Sequence, residues 1–173
     1  MPHRILTPEF FARECPEAAA DLVGKWLCRR LPDGHVKRLR ILETEAYCGE
    51  QDTACHAHKG RTKRTEVLYA APGTLYVYLC YGIHWMLNIV TGQIDRPQAI
   101  LIRSCVGAEG PGKLTRAMEI TGEFNGTILS DDSALLWLED NILPCSFHTA
   151  PRVGIGYASP EDQAAPWRFI LDT

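Results

Sequence analysis

Three apolar runs in close succession, GTLYVYLCYG (73–82), HWMLNIVTG (84–92) and QAILIRSCVG (98–107), constrain this chain more than any other feature. Each is short, rich in aromatic and β-branched residues and punctuated by glycine, so each reads as a strand. Residues 25–31, the turn PDGH and residues 36–47 add a long hairpin. Helices are sparser. Thr7-Pro8-Glu9 reads as an N-cap followed by proline at the first helical position, and a second short helix starts near Pro16 and ends before Gly24. Leu114, Ala117 and Met118 sit at helical spacing within 113–120. Within 130–140, SDDS reads as a helix cap and LLWLED as a strand, of which the strand is preferred. The tail closes with an apolar strand. One mixed α/β domain spanning residues 1–173, with largely antiparallel pairing, is expected.

Composition narrows the class. At 173 residues with 46% hydrophobic content, the chain has enough for one core and lacks a disordered composition. No run approaches the roughly 20 apolar residues that cross a bilayer, and the N-terminus lacks the apolar stretch of a signal peptide. A cytoplasmic protein with no membrane association is expected. Seven cysteines without a CxxC pair read as buried free thiols in a reducing compartment. The net charge of −3 hides an asymmetry: residues 22–64 carry ten Lys/Arg against five Asp/Glu, and residues 119–173 two against nine. One face is therefore open to a polyanion.

The candidate site begins in ILETEAYCGEQDTACHAHKGRTKRTE (41–66). Strand alternation sets Leu39, Ile41, Glu43, Glu45 and Tyr47 on one face. If Ile41 faces the core, Glu45 points into or beside it and needs a partner or a raised pKa. A carboxylate held this way is a candidate general base. Arg103, inside a buried strand, is the candidate partner. Tyr76, Tyr78 and Tyr81 crowd one strand, and aromatic faces of this kind stack bases. Lys59, Arg61, Lys63 and Arg64 form a basic loop suited to phosphates. Each feature has a plainer reading: a strand-end ion pair, core aromatics, a solvated charged loop. His56 and His58 with Cys48 and Cys55 do not match zinc spacings, so no metal is expected. Glycines before Lys113 read as ordinary turns.

Together, ETEAY (43–47), His56, the run 73–92, LIRS (101–104), EGPGKLTRAM (109–118) and PRVGIG (151–156) closely resemble the alkyladenine (3-methyladenine) DNA glycosylase family, in order and over nearly the whole chain. The resemblance implies a curved antiparallel sheet with surrounding helices and a monomer without a cofactor. It implies an enzyme that flips a damaged purine out of duplex DNA and hydrolyses its N-glycosidic bond, leaving the backbone intact. Glu45 then matches the catalytic base and Arg103 the arginine that holds base and water. Tyr47, His56 and Tyr78 match the rings around the flipped base, Tyr81 the intercalating wedge, and Asn88 the group that excludes the guanine amino group. His84 and Thr65 depart from the family pattern. A binding module without catalysis, a free-nucleoside hydrolase and a structural interaction protein are the competing classes.

Overall fold

The computed structural model describes residues 3–130 and 134–173. The three apolar runs form strands β3 (Leu75–Cys80), β4 (His84–Thr91) and β5 (Gln98–Cys105), and the hairpin forms β1 (Trp26–Arg30) and β2 (Val36–Tyr47). Its turn closes as PDGH demands: Gly34, at φ +90°, donates to Leu31 O, and Leu31 donates to His35 O. The strand expected within 130–140 is β6 (Leu136–Glu139); the alternative SDDS cap falls largely on residues 131–133, outside the described residues. Strands β7 (Phe147–Ala150) and β8 (Arg168–Leu171) complete an eight-stranded sheet. Its order runs β3-β4-β5-β2-β1-β6, with β8 also pairing β2 and β7, and the described pairs are antiparallel.

Short helices surround the sheet: α1 (Pro8–Phe11), α2 (Cys15–Leu22), α3 (Pro111–Ala117) and α4 (Pro160–Ala164). Helix α3 begins earlier and ends earlier than its periodicity suggests. Pro111 supplies a ready first helical residue, and Glu119 adopts φ +52° just past the end. Helix α4 and strand β7 were not expected. The signal for α4 was present in SPED: Ser159 accepts from Asp162 N, and Pro160 opens the helix.

The two faces of the sheet have different roles. Leu75, Val77, Leu87, Ile89, Ile100, Ile102, Ile41 and Ala46 join the main core with residues of α2 and α3. Thr44 helps dock α2 by donating to Ala19 O at 2.8 Å. The residues between them, Tyr76 and Tyr78 on β3, Met86 and Asn88 on β4, Leu101 and Arg103 on β5, and Glu45 and Tyr47 on β2, belong to the other side. Simple alternation along β2 does not hold. The β2–β5 register shifts between Ile41 and Thr44: Ile41 pairs Cys105, Glu43 pairs Ser104, Thr44 pairs Ile102, and Arg103 is skipped. This bulge puts Ile41 on the core side with Thr44 and Ala46, while Glu45 and Tyr47 point away from that core. The expectation that Ile41 and Glu45 share a face is thereby corrected.

Candidate active site

Strand register assembles the site. Tyr76 is paired with Asn88, Asn88 with Leu101, and Leu101 with Glu45, so one row crosses four strands. Tyr78, opposite Met86, and Tyr47, opposite Ala99, flank that row. Residues separated by up to a third of the chain therefore meet on one surface.

Glu45 is the most unusual group there, a carboxylate with 0% exposure. Tyr47 donates its hydroxyl to Glu45 Oε2 at 2.9 Å, and Arg103 Nη1 lies 3.3 Å from Oε1. Val153 N–H lies 3.5 Å from the same oxygen, at the edge of hydrogen-bonding distance. Burial pushes the Glu45 pKa up, and the Arg103 charge and Tyr47 hydroxyl oppose that shift without cancelling it. The result is a carboxylate of enhanced basicity, held by defined partners.

Aromatic rings surround the space beside it. His56 Nδ1 is 2.9 Å from Tyr76 Oη, and the His56 ring meets the Tyr78 ring edge-on at 4.6 Å. Tyr76 and Tyr78 lie 5.1 Å apart, tilted by 34°. Burial, with Arg64 and Lys59 nearby, lowers the His56 pKa to about 4, so its imidazole is neutral at pH 7. Asn88 is buried and donates to Tyr76 O at 3.2 Å. A recess of about 40 Å³ is lined by Tyr47, His56, Tyr76, Tyr78 and Asn88, among others. It shares Tyr47, His56, Tyr78 and Tyr157 with an open cleft of about 680 Å³ that also reaches Arg103, Tyr81 and Lys113.

Tyr81 stands at the cleft edge, 89% exposed, in the turn joining β3 to β4. Its φ of +52° is uncommon for a residue with a side chain, and Gly82 follows at +67°. Two left-handed residues in sequence, with Ile83 N donating to Cys80 O, make a tight hairpin turn that lifts the ring into solvent.

The basic loop divides. Lys59, Lys63 and Arg64 are exposed, and the Arg64 guanidinium lies 5.3 Å from the Tyr78 ring centre. Arg61 is engaged internally, gripping Glu66 at 2.8 Å through two nitrogens and Asp95 at 2.8 Å through a third. Buried Thr65 ties the loop together, donating to Gly60 O at 2.9 Å and accepting from Thr62 N at 2.8 Å. His58 sits on the loop and bonds Glu50 O.

Two contributors were not legible in the sequence. Arg152, whose side chain is fully buried, forms a two-point ion pair with Asp52 at 2.6 and 2.9 Å. It also lies between the rings of Tyr47 and Trp167, at 4.9 and 5.0 Å, and so fixes the Tyr47 ring from behind. Tyr157 donates to Ala54 O at 2.8 Å and walls the recess from the C-terminal segment. PRVGIG (151–156) contains Arg152 but not Tyr157, and the partners of both lie about a hundred residues away in sequence. Among the described residues, no group of three His, Cys, Asp or Glu side chains is arranged to hold a metal ion.

Comparison with known proteins bears on this arrangement. The family model described as Methylpurine-DNA glycosylase (MPG) matches residues 9–109 and 106–173. A protein of Methanocella arvoryzae named "Putative 3-methyladenine DNA glycosylase" is 43% identical, over 95% of this chain and 91% of its own. Proteins with the same name from Psychrobacter cryohalolentis and Nitrosococcus oceani are 42% and 39% identical, covering 89% and 96% of this chain and 86% and 90% of theirs. With its matched segments spanning the sheet, the cleft, Arg103 and Arg152, the chain belongs to the methylpurine-DNA glycosylase family.

Proposed function

We propose that this DNA glycosylase hydrolyses the N-glycosidic bond of 3-methyladenine, and of related alkylated or deaminated purines, in duplex DNA. The observation that carries this reading is the buried Glu45, bonded to the ring of Tyr47 and to Arg103 beside an aromatic recess. A flat heterocycle rotated out of the duplex stacks against Tyr47, His56 and Tyr78, which offsets part of the few kcal/mol that flipping costs. Tyr81 enters the vacated stack as a wedge. Asn88 faces the edge of the base and disfavours a guanine amino group. Lys59, Lys63 and Arg64 meet phosphates, with Arg61 shaping their loop.

In the chemical step, the oxygen of a water attacks C1′ while the C1′–N bond breaks. The electron pair of that bond leaves with the base, and the water proton passes to Glu45. The Glu45 carboxylate also stabilises the oxocarbenium-like sugar before attack. A 3-methylated adenine is already cationic and departs as a neutral base, so it needs no acid. Hypoxanthine and ethenoadenine are neutral, and the nearest imidazole, His56, has a pKa near 4 and is a poor acid at pH 7. The pocket is therefore best suited to cationic lesions, with slower action on neutral ones. No cofactor or metal enters the scheme, and a monomer suffices.

The test is duplex DNA with a single 3-methyladenine, scored for free base and for strand scission before and after alkali. Free base with scission only after alkali supports the reading. Lesion binding without base release would favour a binding module without catalysis.

A further inference from the structure

The reaction above uses Glu45 and leaves its neighbour Glu43 without a role. Glu43 Oε2 lies 3.5 Å from Arg103 Nε, while Arg103 Nη1 reaches Glu45 at 3.3 Å, so one guanidinium is shared by two carboxylates. A second arginine, Arg168 on β8, holds the same Glu43 oxygen at 3.3 Å and donates through Nε to Pro151 O at 2.9 Å. Arg168 is also the backbone partner of Glu45 across the β2–β8 pair. The side chains of Glu43, Arg103 and Arg168 are 19%, 20% and 24% exposed, against 0% for Glu45. Charges thus alternate from the half-buried rim to the buried end: Arg168, Glu43, Arg103, Glu45. The β2–β5 bulge makes this possible, since the skipped Arg103 falls beside Glu43 and Glu45 together.

We propose that Glu43, anchored by Arg168, is a positioning residue for the glycosylase reaction: it divides the Arg103 guanidinium, so that Arg103 orients Glu45 without neutralising it. The proposal rests on the glycosylase reading. Arginine presents a planar fork that closes readily on a single carboxylate in two-point fashion. A full grip on Glu45 would lower its proton affinity. With Glu43 holding the Nε side, Arg103 reaches Glu45 through one nitrogen. The other groups facing Glu45 are Tyr47 on its own strand and Arg152 and Tyr157 from the C-terminal segment. None of these contacts Glu43 in the structure, and they are unchanged by its substitution.

The experiment is the single-turnover rate of base release from 3-methyladenine duplex as a function of pH, for wild type, Glu43→Gln, Glu43→Asp and Arg168→Gln. The rate rises with pH as Glu45 loses its proton. Removing the Glu43 charge moves this acid limb to lower pH and lowers the plateau by roughly ten- to a hundredfold through misplacement of Arg103. Removing the Arg168 charge moves the limb the opposite way, and Glu43→Asp keeps the wild-type limb. Lesion binding stays within a few-fold in all three. Limbs that coincide with wild type, or that shift in the same direction for Glu43→Gln and Arg168→Gln, overturn the proposal and leave only a structural ion pair. Absence of release by wild type instead removes the glycosylase reading, and this inference with it.

Discussion

In the proposed reaction Glu45 is the central group, because among the described residues no other carboxylate combines full burial with a raised pKa and defined partners. Its activity as a base requires the deprotonated form, so base release should increase with pH through a midpoint above the ordinary carboxylate range. The pH profile of single-turnover release checks this, and a midpoint at or below about 4.3 contradicts it. Tyr47→Phe keeps the stacking ring and removes the hydroxyl that lowers the Glu45 pKa. Its limb should therefore move to still higher pH, with lesion affinity retained. The residues of this chemistry were partly legible in sequence, because a glutamate and an arginine inside apolar runs each require a counter-charge. Arg152 and Tyr157 gave no such signal. Arg152 stands in a turn-rich tail, and its burial depends on Asp52 and two rings brought in by the fold.

Strands were the legible elements, since short aromatic and β-branched runs between glycines leave few other choices. Their phase was not. Alternation along β2 fails because the bulge beside Glu43 carries no glycine or proline to announce it, and only pairing with β5 reveals it. Strand β7 was missed for a related reason. Phe147–Ala150 is largely exposed and lacks an alternating pattern. Two substitutions test how elements hold the site. Thr44→Val removes the bond that docks α2 to β2 and should cost about 1 kcal/mol, read from urea unfolding. Gly112 in α3 lies against His84 on β4, and a Cβ there would come within 2.7 Å of the imidazole. Gly112→Ala should therefore displace His84 or α3 and cost about 1–3 kcal/mol, read as a lowered Tm.

Across the whole molecule, the charge asymmetry seen in sequence is partly cancelled by the fold. Because β1 lies between β2 and β6, Lys25 meets Asp140 and Arg38 meets Glu139, while Lys37 meets Glu119 just past the end of α3. Three of the ten basic residues of 22–64 are thus neutralised internally by the acidic C-terminal part, which sequence position alone does not show. Exposed Arg64 and Lys113 line the cleft, and exposed Lys59 and Lys63 lie on the same loop as Arg64. Affinity for duplex DNA measured by fluorescence anisotropy at several salt concentrations should separate these from Arg61. Lys63→Ala should reduce the slope of log affinity against log salt by about 1, whereas Arg61→Ala, whose charge is already paired, should leave it nearly unchanged. In the proposed reaction, this sheet holds Glu45 against a flipped base. The most direct measurement is single-turnover release from 3-methyladenine duplex by wild type and Glu45→Gln, with binding to the same DNA recorded in parallel. The account predicts comparable binding and release slowed by roughly a hundredfold or more in Glu45→Gln; equal release rates from the two proteins would contradict it.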